Sequence, residues 1–160
     1  MELHNTKIDI TKEKREEITE ILNARLADAI DLKSQAKQAH WNVKGPHFIG
    51  LHELFDRVAT ETELHIDEIA ERITALGGTA MGTVRVAAQT SSLNEYPLEI
   101  FDGDAHVDAV STALSDFGKK VRAGIDETDE LGDADTADLF TEISRSIDKL
   151  LWFVEAHIQA

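Results

Sequence analysis

Apolar side chains recur at intervals of three and four residues along most of this chain, and this spacing predicts amphipathic helices. Four such stripes run through residues 18–30, 51–76, 107–121 and 140–158. No stretch shows the alternation of apolar and polar residues that is typical of a half-buried strand. The pattern therefore predicts an all-α fold with four long helices.

The first stripe predicts a helix that begins after Thr11 and continues towards His40 without a proline to interrupt it. Residues 1–11 then form a short N-terminal tail, and residues 12–160 form one domain. A helix of about 30 residues is well above the average length in globular proteins, which favours a helical bundle.

A short turn and one long connection join the helices. Gly45-Pro46 makes the turn, because proline disfavours helical backbone in the residue before it, so the second helix (residues 48–76) lies antiparallel to the first. Residues 79–104 lack helical periodicity; within them Ser-Leu-Asn-Glu at 92–95 resembles a capping box and predicts a short helix that ends near residue 97. Two antiparallel pairs joined by one long crossover are typical of a ferritin-like four-helix bundle.

The chain is strongly acidic, with 16 Lys and Arg against 31 Asp and Glu and a net charge of −15. Such a surface attracts cations and repels nucleic acid unless basic residues are concentrated locally. The absence of cysteine excludes disulfides and thiolate metal sites. The N-terminus has no signal-peptide pattern and no apolar run is long enough to span a bilayer, so we expect a cytoplasmic protein without a membrane partner.

Histidines and carboxylates lie at opposite ends of residues 40–72. His40 and His52 flank the predicted turn, whereas Asp67 and Glu71 lie one turn apart on one face of the second helix. Fifteen residues separate His52 from Asp67. That is about 22 Å along a helix, whereas metal–ligand bonds are about 2.0–2.2 Å long. If all four side chains bind one metal, the carboxylates must come from a second copy related by a two-fold axis, which predicts a homo-oligomer.

The same segment resembles the signature of the Dps family, the DNA-binding proteins from starved cells. The matching residues are His40-Trp41-Asn42-Val43-Lys44-Gly45-Pro46, His52 and Asp67-x-x-Ala70-Glu71-Arg72, with further similarity in Asp133-x-Asp135-Thr136-Ala137-Asp138 and Asp148-Lys149-Leu150-Leu151-Trp152-Phe153. The resemblance implies a miniferritin that assembles into a hollow cage, most often a dodecamer. In that family two histidines and two carboxylates form ferroxidase sites at subunit interfaces, so His40, His52, Asp67 and Glu71 are the implied iron ligands.

The resemblance also implies roles for residues outside the ligand set. A tryptophan in the place of Trp41 is held to supply electrons during peroxide reduction; packing in the core or at an interface is the alternative for it. Acidic residues at the start of the fourth helix are implied to line three-fold pores through which ferrous ions reach the cavity, with helix capping as the alternative for at least one of them. These acidic residues are Asp133, Asp135, Asp138 and Glu142.

The implied function is oxidation of Fe(II), with hydrogen peroxide or dioxygen, followed by storage of ferric oxide mineral. One alternative is DNA binding and compaction, which in the family commonly uses lysine-rich tails. Here the basic residues of the N-terminal region are offset by nearby acids, so we do not expect DNA binding: Lys7, Lys12, Lys14 and Arg15 stand among Glu2, Asp9, Glu13, Glu16 and Glu17. The other alternative is a structural cage whose interface site prefers zinc, because imidazole and carboxylate ligands accept zinc well.

Overall fold

The computed structural model describes residues 3–159, so Met1, Glu2 and Ala160 lie outside the described residues. Over that range the chain forms five α-helices, and no strand occurs there. Their bounds are Lys12–Asn42 (α1), Phe48–Ala75 (α2), Val84–Thr90 (α3), Gly103–Glu130 (α4) and Ala134–Glu155 (α5). The all-α, four-helix prediction with a short helix in the crossover is confirmed.

The four long helices form two hairpins, α1 with α2 and α4 with α5, whose apolar stripes share one core. Leu22, Phe55, Phe117 and Phe140 are all fully buried at its centre. Burying a side chain of this size contributes about 1.5–3 kcal/mol, so the shared core dominates the stability of the bundle. None of the helices in residues 3–159 is long and apolar enough to cross a membrane.

The crossover helix lies earlier than the sequence pattern predicts. The capping-box pattern at residues 92–95 indicated a helix there, but α3 ends at Thr90 and is capped by the hydroxyl of Thr83, which accepts from the Val86 N–H. The Ser92 N–H instead donates to Oδ1 of Asp28 at 2.7 Å. The predicted position was wrong because the cap-like serine binds a buried carboxylate of α1 rather than starting a helix.

The N-terminal segment before α1 lies along the bundle. The His4 N–H donates to the carbonyl of Gly77 at 2.8 Å. The guanidinium of Arg15 donates to the carbonyl of Leu76 at 2.7 Å and so satisfies the C-terminal end of α2. Gly77 has a φ of +88°, and a Cβ there would approach the His4 carbonyl oxygen to 2.4 Å, so this docking requires glycine.

Candidate metal centre

The turn between α1 and α2 brings His40 and His52 together; we call them the histidine pair. Their rings stack with centroids 3.7 Å apart and planes 22° apart. Nδ1 of His40 lies 2.7 Å from the carbonyl oxygen of His52, and Nδ1 of His52 lies 2.8 Å from that of His40. A carbonyl oxygen can only accept, so each Nδ1 carries a hydrogen, and in the neutral imidazole each Nε2 keeps its lone pair. That is the tautomer a metal-binding imidazole needs, and the carbonyls fix the orientation of both rings.

Local sequence explains why the two rings meet. His40 lies in the last turn of α1 and His52 in the second turn of α2. Gly45, with a φ of +112°, permits the tight reversal between them. The Lys44 N–H donates to the carbonyl of Phe101 at 2.9 Å, which fixes the turn against the end of the crossover. The reciprocal hydrogen bonds of the histidine pair then close the hairpin.

Lys37 and Asp56 form an ion pair one helical turn from the histidine pair. Lys37 Nζ lies 2.6 Å from Oδ1 of Asp56. Lys37 precedes His40 by three residues and Asp56 follows His52 by four, so all four side chains lie near one another on the two helices. The hydrogen bond from Lys37 lowers the pKa of Asp56 most, and the histidine pair adds a smaller effect in the same direction. Sequence reasoning missed both residues, although the four-residue spacing after His52 was a signal for Asp56.

Trp41 lies on the solvent side of this group. Its indole is 66% exposed, and Lys37 Nζ lies 5.7 Å from the ring centroid. Packing in the core of the chain is thus excluded for Trp41, which leaves interface packing or a role in electron transfer.

Asp67 and Glu71, the carboxylate pair, lie on α2, the helix that also carries His52, but far along it from the histidine pair. Both are exposed on α2. Among residues 3–159, no three His, Cys, Asp or Glu side chains lie close enough together to hold a metal ion. A single chain therefore supplies two separate halves of the predicted site and does not bring all four ligands together.

The acidic residues at the start of α5 divide into one buried and three exposed side chains. Asp133 is 2% exposed; its carboxylate accepts from the Thr136 N–H at 3.1 Å and from Arg72 Nη2 at 2.7 Å. Burial alone would raise the pKa of Asp133, but the hydrogen bonds from Arg72 and Thr136 hold it below its usual range. Asp133 is the capping residue, whereas the other three predicted pore residues are exposed: Asp135, Asp138 and Glu142.

Two further residues on α2 have structural contacts. Arg72, part of the matched signature, also donates from Nε to the Thr136 hydroxyl at 2.9 Å and so ties α2 to the start of α5. His65 lies between the two halves of the site, but its Nδ1 contacts Glu68 at 2.9 Å and its Nε2 contacts the hydroxyl of Ser146 at 2.8 Å. With both ring nitrogens occupied, His65 is a structural residue.

Comparison with known proteins covers the whole bundle. The ferritin-like domain family matches residues 19–160. The DNA protection during starvation protein of Agrobacterium fabrum is 45% identical over 159 residues, which cover 99% of this chain and 98% of that protein. Among solved structures, DpsA14 from Streptomyces coelicolor is 32% identical with a TM-score of 0.94 and covers 100% of this chain and 96% of that one. Dps from Microbacterium arborescens in the high iron form is 32% identical with a TM-score of 0.86, over 92% and 96% of the two chains.

These similarities extend through both hairpins and the crossover, and they confirm the resemblance found in the histidine–carboxylate segment. The chain belongs to the Dps family of ferritin-like proteins.

Proposed function

We propose that this protein is a ferroxidase that oxidises Fe(II) at sites between subunits and stores the product as ferric oxide mineral inside a cage. The reciprocal hydrogen bonds of the histidine pair carry the proposal, because they leave two imidazole lone pairs oriented for a metal. Imidazole and carboxylate ligands suit iron. Membership of the Dps family, with a relative solved in a high iron form, favours iron over zinc as the substrate.

Exposed apolar side chains near both halves of the site support completion by a second copy. Trp41, Phe48 and Ile49 lie around the histidine pair and are 66%, 43% and 62% exposed, and Leu64, one turn before the carboxylate pair, is 61% exposed. Contiguous exposed apolar surface marks interaction sites. Antiparallel contact between two α2 helices would cover both groups and bring the carboxylate pair of one copy to the histidine pair of the other. A homo-oligomer, which we propose is a dodecamer, follows from this pairing.

At such a site the four ligands leave coordination positions open for an oxidant or a second metal ion. We propose hydrogen peroxide as the preferred oxidant, with dioxygen as the slower alternative. Two ferrous ions and one peroxide give two ferric ions and two hydroxide ions, so the reaction removes both reagents of hydroxyl-radical chemistry. Trp41, next to His40 and 66% exposed, is proposed to supply electrons when iron alone does not.

The exposed acids of α5 suit cation transport towards the cavity. Asp135, Asp138 and Glu142 are exposed, and carboxylates attract a ferrous ion without holding it as firmly as the imidazole site. We propose that these three line the three-fold pores of the cage. Asp133 is left out of the pore, because its carboxylate is buried against Arg72.

The test is anaerobic loading with Fe(II), followed by peroxide, with the ferric product measured by absorbance and its cores by electron microscopy. Rapid oxidation and electron-dense cores of uniform size are expected. A matched control is Asp126→Ala, which removes an exposed carboxylate of α4 and should leave the rate unchanged. Absence of a ferric product, together with tight binding of zinc, would contradict the proposal and favour the structural cage.

DNA binding is the competing function, because the name of the Agrobacterium fabrum relative refers to DNA protection. The docked N-terminal segment and the net charge of −15 both argue against it. We therefore propose that this protein protects through iron chemistry rather than through contact with DNA.

A further inference from the structure

A buried tyrosine and histidine form a close pair between the crossover and α4. Tyr96, the single tyrosine of the chain, is 8% exposed, and His106 is 1% exposed. The Tyr96 hydroxyl oxygen lies 2.6 Å from Nδ1 of His106, and the ring planes are 21° apart. The pair joins the crossover to the start of α4.

The pKa shifts of Tyr96 and His106 and the carbonyls around His106 indicate where the proton of this hydrogen bond lies. Burial raises the pKa of the Tyr96 phenol, and burial lowers the pKa of His106 against the opposing effects of Asp102 and the carbonyls of Ile100 and Asn42. Both groups are therefore neutral, and the carbonyls of Ile100 and Asn42, which can only accept, favour the tautomer with its hydrogen on Nε2, in which Nδ1 of His106 accepts from the phenol.

His106 has one feature that a packing role does not explain. Because its Nδ1 accepts from Tyr96, its Nε2 carries a hydrogen, and within the described residues this buried atom makes no hydrogen bond of good geometry, although the carbonyls of Ile100 and Asn42 act on the ring as acceptors. A buried donor with only weak acceptors is costly, and an apolar side chain of similar size would avoid that cost. The same ring, once protonated at Nδ1, is favoured by Asp102 and by the carbonyls of Ile100 and Asn42. The surroundings of His106 thus suit a ring that accepts a proton transiently.

Phe55 and Asn42 connect this pair to the segments that carry the histidine pair. The His106 ring centroid lies 6.4 Å from that of Phe55, which follows His52 by one turn on α2. Asn42, whose carbonyl acts on His106, follows His40 by two residues. Trp41, by contrast, is 66% exposed on the other side. An oxidant formed at the histidine pair would thus have an exposed indole next to His40 and a buried phenol that is reached through Phe55 and His106.

We propose that Tyr96 and His106 act together as a proton-coupled electron donor to the peroxide-derived oxidant formed at the histidine pair. This inference rests on the proposed ferroxidase function. Peroxide takes up two electrons, whereas a single ferrous ion supplies one, so a site that holds one iron when peroxide arrives lacks an electron. Oxidised phenol is strongly acidic, and Nδ1 of His106 is in hydrogen-bond contact to receive its proton.

The step conserves atoms and charge. One ferrous ion, one hydrogen peroxide, Tyr96 and neutral His106 give one ferric ion, two hydroxide ions, the neutral phenoxyl radical of Tyr96 and the imidazolium of His106. The peroxide O–O bond and the phenol O–H bond break, and an N–H bond forms at Nδ1. A second ferrous ion then reduces the radical while His106 returns the proton. The sum is again two ferrous ions oxidised by one peroxide.

The first experiment uses electron paramagnetic resonance on the whole assembly. Because Tyr96 is the single tyrosine, any tyrosyl signal reports this residue. Protein loaded with one Fe(II) per site is mixed with peroxide and freeze-quenched; the wild type should give a tyrosyl signal that disappears when more Fe(II) is added. His106→Gln keeps an acceptor but removes the base, and should slow radical formation by about 100-fold. Trp152→Phe removes an exposed indole on α5 and should retain the signal.

The second experiment tests the Tyr96–His106 pair in the absence of iron. Ruthenium(III) tris-bipyridine, generated by a laser flash, oxidises the iron-free protein. A tyrosyl radical that forms in the wild type and is lost in His106→Gln supports coupled electron and proton transfer by Tyr96 and His106. Iron oxidation without a tyrosyl signal in the wild type would overturn the donor role. Absence of iron oxidation would overturn the ferroxidase function and the donor role with it, and the flash experiment would still report separately on the pair.

A further variant keeps the inference testable if His106→Gln does not fold. Tyr96→Phe keeps the buried ring and removes the oxidisable hydroxyl. At one Fe(II) per site it should release more hydroxyl radical, measured with a spin trap, than the wild type. An equal yield of the spin adduct in both proteins would overturn the proposal.

Discussion

His106 is a buried neutral histidine, and this state makes the fold sensitive to acid. The groups that face it are the Tyr96 hydroxyl from the crossover, Asp102 from the start of α4, and the carbonyls of Asn42 and Ile100, whereas α2 presents the uncharged Phe55. Burial outweighs the groups that favour the protonated ring, so the folded pKa lies below the ordinary value of 6.5. The unfolded chain therefore binds the proton more readily.

It follows that the contribution of neutral His106 to stability is fully present above pH 6.5 and is lost as the pH falls from that value towards the folded pKa. His106→Gln, which cannot be protonated there, should show a weaker decline in the free energy of unfolding as the pH falls below 6.5. Denaturant titrations of both proteins across this range give the comparison. Parallel pH profiles would show that other groups cause the decline.

Asp133 combines a helix cap with a buried ion pair, and its removal should be costly. Asp133→Asn can still cap α5 but leaves Arg72, whose side chain is 17% exposed, without its carboxylate. Breaking such a pair from one side costs about 3 kcal/mol, whereas Asp135→Asn, at an exposed position, should cost no more than about 0.5 kcal/mol. Urea unfolding midpoints measure the difference. Similar midpoints for the two variants would mean that water replaces the lost partner of Arg72.

The low pKa of Asp133 also sets the pH range in which this ion pair contributes. Because its folded pKa lies below the ordinary value of 3.8, the contribution is present above that value and is lost as the pH falls through the folded pKa. The effect of Asp133 on stability thus appears only below pH 3.8.

Helices whose signals are local could be predicted, and contacts between distant segments could not. The long helices follow from apolar periodicity within each helix, and the meeting of His40 with His52 follows from a short turn. The position of α3 depends on Asp28, a fully buried side chain that lies 64 positions before Ser92 in the chain. No local pattern at Ser92 could indicate that carboxylate.

The same distinction applies to the candidate site. Capping by Asp133 depends on its neighbour Thr136 and was open to prediction, whereas its ion pair with Arg72 spans 61 residues and was not. The hydrogen bond from Tyr96 to His106 links a residue of the irregular crossover to α4, so helical periodicity gives no indication of it. The proposed pairing of the two half-sites depends on a second copy of the chain, which one sequence does not describe.

Because α2 contributes to both halves of the site, its substitutions give a direct test of assembly across the two-fold axis. A chain carrying both His52→Ala and Asp67→Ala should assemble normally but oxidise Fe(II) with peroxide far more slowly than the wild type, because every site loses a ligand from each subunit. Initial rates and size-exclusion elution volumes are the measurements. A correctly sized double variant with the wild-type rate would locate the chemistry elsewhere, with the acids of α5 as the next candidates.

Mixed oligomers of the two single variants test more directly whether each site takes ligands from two subunits. If the site lies between subunits, a dimer of His52→Ala with Asp67→Ala has one site that lacks both ligands and one site that is intact. Random co-assembly should therefore restore about a quarter of the sites, because half of the dimers are mixed and each has one intact site of two. If all the ligands came from one chain, mixing would restore none.

Both the charge of the whole molecule and the position of its N-terminal segment affect whether it can bind DNA. Arg15, one of the few basic residues near the N-terminus, donates to the carbonyls of His4, Ile10 and Leu76 and is therefore not free to bind phosphate. Lys12 Nζ lies 3.7 Å from Oε1 of Glu16. Residues 3–10 are thus held against the bundle, and Arg15 and Lys12 are engaged within the chain.

We expect that the assembled protein does not retard DNA at physiological salt. Non-specific affinity for DNA comes from lysine and arginine side chains that neutralise phosphates and release counterions, and each subunit adds a net charge of −15 to the surface instead. A gel shift over a series of salt concentrations is the measurement.

Arg15→Ala is a useful control variant, because it releases the N-terminal segment without adding positive charge, and it should not bind DNA either. Replacing Asp9, Glu13 and Glu17 with their amides makes the same region basic and should produce binding at low salt that weakens as salt is added. Retardation of DNA by the unaltered protein, falling steeply with salt, would instead mean that assembly brings the remaining lysines together into a basic patch that single chains lack.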